Sequence, residues 1–151
     1  MPRLTINPDD IRRAKIVKPG WYPTLLKAVT EEPNAARTGT NIVWDVECAD
    51  DKSEFYEVPA KLWFPDSFPQ SSVALVKAFN PKLDEKAVHD IEFADFTGLY
   101  IYGKWATNRG KDGTAPPRNT VEDWAPLPKQ WLHLAGVKVD PKVEGVGGFD
   151  K

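Results

Sequence analysis

The chain has 151 residues, 28% of them charged and 41% hydrophobic, with a formal net charge of −2. That length fits one domain with a core of its own, and the near-neutral balance excludes a global attraction to nucleic acid, so any basic footprint must be local. The single cysteine, Cys48, excludes an internal disulfide and a cysteine-rich zinc site, and with only His89 and His133 available a metal centre would have to lean on carboxylates.

At the N-terminus, Met1-Pro2-Arg3-Leu4-Thr5 lacks the basic-then-apolar layout of a signal peptide, and no apolar run in the chain is long enough to span a bilayer. The expected setting is therefore a cytoplasm. Asn7-Pro8-Asp9-Asp10 predicts a turn or helix start, followed by a short basic stretch over 11–17 that reads as a solvated lead-in with Ile11 and Val17 docked on the core. Lys18-Pro19-Gly20 punctuates, and residues 21–30 predict the first strand. Pro23 has no N–H for a ladder, so it belongs at an edge, a bulge or the strand's start. Residues 31–39 form the loop to the clearest strand in the chain, in which Ile42, Trp44, Val46 and Cys48 face one way and Val43, Asp45 and Glu47 the other.

After the acidic turn at 49–53, a third strand sets Tyr56, Val58, Ala60, Leu62 and Phe64 toward the core and Glu57, Pro59, Lys61 and Trp63 away from it. The period then changes. Ser71 or Ser72 can cap a helix in which Val73, Val76 and Phe79 recur at spacing three and Leu75 widens the stripe, until Asn80-Pro81 stops it. A second short helical turn is predicted over 83–88. Residues 99–106 predict a fourth strand, with Leu99, Ile101, Gly103 and Trp105 on one side and Tyr100, Tyr102, Lys104 and Ala106 on the other. The Gly- and Pro-rich loop 107–118, reversed at Asp112-Gly113, returns the chain into a fifth strand over 119–126.

Three strands, a helix and a two-stranded hairpin is the element order of the OB-fold, a five-stranded, partly open Greek-key barrel with its helix between strands three and four. The expected fold is thus mainly β, with residues 1–127 forming a single OB-like domain that includes an N-terminal lead-in at 1–19. Residues 128–151 read as a C-terminal tail. The longer polar loops fall between strands one and two and between strands four and five, the two that flank the ligand groove of such barrels.

The succession Gly20-Trp21-Tyr22-Pro23, then Arg37-Thr38-Gly39-Thr40-Asn41-Ile42-Val43-Trp44-Asp45-Val46, then Phe96-Thr97-Gly98-Leu99-Tyr100-Ile101, and finally Asn119-Thr120-Val121-Glu122-Asp123-Trp124 resembles phage-encoded single-stranded DNA-binding proteins of the OB-fold type. The resemblance covers residues 15–127 and implies a replication or recombination accessory, in the host cytoplasm, that coats unpaired DNA with little sequence preference. The partners it implies are single-stranded DNA, replication or recombination proteins reached through the tail, and further copies of the chain. It implies no cofactor and no membrane. Two features depart from the family pattern: the loop around Pro116-Pro117 is longer and stiffer, and the end Gly148-Phe149-Asp150-Lys151 differs from the acidic, aromatic-ended tails that recruit partners in bacterial relatives.

The residues themselves point to the same chemistry. Binding single strands without sequence preference takes aromatic faces for bases and cations for phosphates along one groove. Tyr100, Tyr102 and Lys104 share one strand face, and Lys61 and Trp63 share the outward face of strand three. Arg37 sits in one rim loop, and Arg109, Lys111 and Arg118 sit in the other with only Asp112 against them. Trp21, Trp44, Trp105 and Trp124 are expected in the core. Asp45 and Glu47 would repel phosphate, which shifts the track toward strand one and the late hairpin or argues against nucleic acid.

Two rival readings follow from that objection. One is a metal-assisted hydrolase using Asp45 and Glu47 with Asp50, Asp51 or His89. Alternating acids, however, are the ordinary dressing of a solvated strand, and no Ser-His-Asp order, Cys-His pair or nucleotide fingerprint accompanies them. Gly110-Lys111-Asp112-Gly113-Thr114 lacks the spacing and following helix of a phosphate loop. An enzyme is not expected. The other rival is a protein-protein or structural module of a virus, suggested by the prolines, by Trp131-Leu132-His133-Leu134 and by the Val-dotted tail.

Overall fold

The computed structural model describes residues 2–65, 70–84, 86, 91–110 and 112–139. Its spine is the long strand β1 (Gly20–Pro33), which is shared between two neighbours. β2 (Thr40–Cys48) pairs with Thr24 to Pro33, and β4 (Tyr100–Asn108) pairs with Gly20 to Leu25. Pro23 falls where the register runs with β4 alone, which spares a β2 ladder the missing donor. β3 (Pro59–Pro65) adds outside β2 and β5 (Arg118–Ala125) outside β4, giving one antiparallel sheet in the order β3-β2-β1-β4-β5. The fold is mainly β, and helix α2 (Gln70–Phe79) lies between β3 and β4 in the chain, as expected.

The sheet does not close into a barrel. Among the described residues no ladder joins β3 to β5, and β3 both starts and ends on a proline that cannot donate to one. The lead-in runs against the start of β5 instead. Val17 N–H donates to Asn119 Oδ1 at 2.9 Å, and Asn119 Nδ2 donates to the Val17 carbonyl at 3.0 Å and to the Ala106 carbonyl at 3.3 Å. The two edges still meet through side chains, since the Arg118 guanidinium lies 5.5 Å from the Trp63 ring centre.

Period-two alternation carries the core. Trp44, Val46, Cys48, Leu62, Phe64, Ile101, Trp105, Val121 and Trp124 are buried on the inner face, closed over by Leu75 and Ala78 of α2. Trp44 and Trp105 are at most 1% exposed, so replacing either with alanine would cost about 3–5 kcal/mol. The Trp105 indole N–H donates to Thr24 Oγ1 at 2.9 Å, whereas the buried Trp44 Nε1 has no partner among the described residues. Gly103 is where these groups converge: a Cβ there would stand 2.9 Å from Thr24 Oγ1 and 3.0 Å from Val121. Phe79 stacks on Phe96 at 4.8 Å and ties α2 to a 3-10 turn, Phe93–Phe96.

The helix start expected at 7–10 opens a short helix α1 (Pro8–Ala14), closed by a reciprocal cap in which Asn7 and Asp10 bond each other's backbone N–H. Several other expectations are corrected. Helix α1 leaves Ile11 exposed, and only Val17 docks. Tyr56 is exposed because the chain is still turning there, with Glu57 at φ 65, and β3 begins only at Pro59. Val43 is buried although its parity points outward, since it sits between Thr30 and the bulky Trp63 in the register. Trp21 leaves the core for the outer face at 37% exposure. Ser71 and Ser72 lie inside α2, which starts at Gln70, so neither is its cap. Half of the helical turn expected over 83–88 falls outside the described residues.

Beyond β5, residues Lys129–Leu134 form a second 3-10 turn, and the chain then comes back beside the turn that leads into β4. Val139 N–H donates to the Gly98 carbonyl at 2.8 Å. Gly98 has φ +84, and any Cβ on it would collide with the Val139 carbonyl. The rest of the tail lies outside the described residues.

Candidate nucleic-acid interface

Lys61 and Trp63 project from the outer face of β3, where the pleat alternates them with the buried Leu62 and Phe64. Trp63 is 41% exposed. The Lys61 ammonium lies 5.9 Å from its ring centre and the Arg118 guanidinium 5.5 Å, so two cations crowd one indole. Beside it a cleft of about 210 Å³ opens along the seam between β3 and β5. Among the described residues its walls carry Arg13, Lys15, Lys61 and Arg118 and no carboxylate.

The β4 residues form a different group. Tyr102 stacks on Trp21 with ring centres 5.3 Å apart and planes 19° from parallel. Lys104 stands opposite Trp21 in the β1 register and opposite Asp123 in the β5 register. A bulge makes Glu122 the extra residue of β5 and brings its carboxylate to 3.7 Å from the Lys104 ammonium. Tyr100 is not part of this stack: it shares a row with Leu25 and Glu47.

The rim loops stand at opposite ends of β3. Asn41 pairs with Pro65, which sets loop 34–39 beyond the C-terminal end of the strand, while Pro117 lines the cleft beside Pro59 and Ala60 near its start. Arg37 is exposed, with φ 56, in a turn held by Asn34, whose carbonyl accepts from Arg37 N–H at 3.0 Å. Arg109 is exposed in the other loop, and Lys111 lies outside the described residues. Asp112 accepts from the Thr114 hydroxyl at 2.8 Å and from its N–H at 3.2 Å, which holds the carboxyl below its usual range.

Each outward acid of β2 has a lysine across from or beside it, but among the described residues only one of them is ion-paired. Glu47 pairs with Lys27 at 3.2 Å, and Lys27 is the residue expelled by the β1 bulge. Asp45 stands opposite Lys61 in the register. Among the described residues no three His, Cys, Asp or Glu side chains gather as a metal would need, and His89 lies outside them. Cys48 is fully buried, and burial pushes its thiol up to about 11, so it stays protonated at neutral pH.

The fold therefore brings Lys61, Trp63 and Arg118 together, sets Tyr102 and Lys104 apart as a second group, and leaves Arg37 and Arg109 on the rims. Sequence reasoning missed Trp21, Arg13 and Lys15. Parity could have placed Trp21 opposite Thr24 and Leu26, but the adjacent Leu25 and Leu26 hid which parity faces inward. The stretch 11–17 is locally marked as basic, but nothing local places Arg13 and Lys15 on the cleft, because their position depends on a contact between Val17 and Asn119 across 102 residues. No protein-family model and no curated protein matches this chain.

Proposed function

We propose that the protein is an OB-fold-like, seam-open Greek-key barrel that binds single-stranded DNA with little sequence preference, as an accessory of replication or recombination. The strand order supports the fold reading, because a sheet ordered β3-β2-β1-β4-β5 whose two edges face each other is what an OB barrel becomes when its last ladder is left unpaired. The observation that carries the function is the exposed Trp63, flanked by Lys61 and Arg118 and standing between the two loops that bound the groove in such barrels. Bases stack on the indole while phosphates follow the cations. Glu47 does not oppose this track, since its charge is paired with Lys27; Asp45 is the one acid beside it, opposite Lys61 in the register without an ion pair among the described residues. The resemblance of the Arg37 and Phe96 motifs to phage single-stranded DNA-binding proteins points the same way, and no catalytic step is assigned.

A second reading, a protein-interaction module, is favoured by the cleft of about 650 Å³ between α2 and β5, lined by Val73, Ala74, Ala78, Trp124 and Pro126. Titration of an unstructured fluorescent oligonucleotide at low and high salt separates the two. The DNA reading expects binding that weakens linearly on a log-log salt plot and a loss of about 1–3 kcal/mol in Trp63→Ala, whatever the base sequence. Failure to bind at low salt, where the electrostatic attraction is largest, would leave the interaction module as the better account.

A further inference from the structure

The lead-in is fastened to the body at several points. Val17 is fully buried with both backbone groups held by Asn119. The Lys15 ammonium donates to the Glu54 carbonyl at 3.2 Å, and the Arg12 guanidinium reaches Glu57 at 3.9 Å. These ties set Arg13 and Lys15 on one wall of the seam cleft, facing Lys61 and Arg118. Among the described residues none of the four ion-pairs with a carboxylate.

Four like charges around one small cleft repel one another, and an anion there relieves the repulsion. At about 210 Å³ the cleft holds the liquid volume of about seven waters. That is below the range of pockets that engulf a whole organic ligand and suits a phosphate group, with the attached base left outside on Trp63. We infer that the cleft is a phosphate pocket in which the N-terminal segment is a built wall, Arg13 and Lys15 gripping the backbone phosphate of a strand that stacks on Trp63. The source of that phosphate rests on the single-stranded DNA reading; the pocket itself does not.

The test uses the full chain and the exposed pair Arg13→Gln/Lys15→Gln, with Lys61→Gln/Arg118→Gln for the opposite wall and Lys82→Gln as a remote control. Two probes are titrated: an oligo(dT), with affinity followed against salt, and inorganic tripolyphosphate, followed by calorimetry. Each double variant should lower the oligonucleotide salt slope by about 1.4, two charges at about 0.7 each, and should abolish the tripolyphosphate heat, while the control changes neither. If the oligonucleotide binds with its slope unchanged in Arg13→Gln/Lys15→Gln, the pocket is refuted and the DNA reading survives. Tripolyphosphate bound through these cations by a protein that ignores the oligonucleotide would keep the pocket, make free phosphate compounds its ligand, and refute the DNA reading. A protein that takes up neither probe would overturn both.

Discussion

The β3–β5 seam and the β1–β4 patch are built from the same residue types, exposed aromatics with lysine beside them, yet their electrostatics are opposite. At the seam Trp63 has two cations over it and a cleft that, among the described residues, has no carboxylate. At the patch Trp21 and Tyr102 spend one ring face on each other, and Lys104 is flanked by Glu122 and Asp123. An aromatic on a strand is thus an incomplete description of a binding platform. What separates the regions is whether the lysine is held in an ion pair: Lys104 is, by the Glu122 that the β5 bulge adds, whereas Lys61 has only Asp45 across the register and no ion pair among the described residues.

The largest expected effect dismantles the seam alone. Asn119→Ala strips both backbone groups of the buried Val17 of their partners, and at ~1–3 kcal/mol for each unsatisfied group a urea titration should show a loss of roughly 2–6 kcal/mol. Next in size, Trp63→Ala should cost about 1–3 kcal/mol of oligonucleotide affinity, and Trp21→Ala or Tyr102→Ala less. Equal losses at both places would erase the contrast. Smaller again, Arg118→Gln should lower the salt slope by about 0.7, whereas Lys104→Gln leaves it nearly unchanged because that charge is already opposed by Glu122. Smallest, Glu122→Gln should slightly strengthen binding by releasing Lys104. The pair is exposed and worth at most about 1 kcal/mol, so a larger gain would mean that the patch, not the seam, carries the strand.

How legible these regions were follows from the range of the contacts that make them. Turn signals bounded β1 and β5, and local periodicity placed β2, β3, β4 and α2, because alternation at 42–48, 58–64 and 99–105 reports burial directly. It paired Lys61 with Trp63 for the same reason. It failed where parity is ambiguous, at Trp21 beside Leu25 and Leu26, and where cross-strand bulk overrides parity, at Val43 beside Trp63. It could not reach the wall formed by Arg13 and Lys15, nor the Lys104–Glu122 pair, because one depends on a contact across 102 residues and the other on a bulge that no residue in the strand announces. The open seam was hidden for a related reason: an element order specifies neighbours in a sheet, and whether the last ladder forms depends on what occupies the gap.

The central claim, that the seam and not the patch holds the strand, is tested most directly by following backbone and side-chain amide resonances of the full chain while a short oligo(dT) is added at low salt. The expected shifts centre on the Trp63 indole, Arg118, the Asn119 side-chain amide and Val17, with Trp21, Tyr102 and Lys104 moving little. Shifts centred on Trp21 and Tyr102 with the seam silent, or no shifts at all, would contradict it.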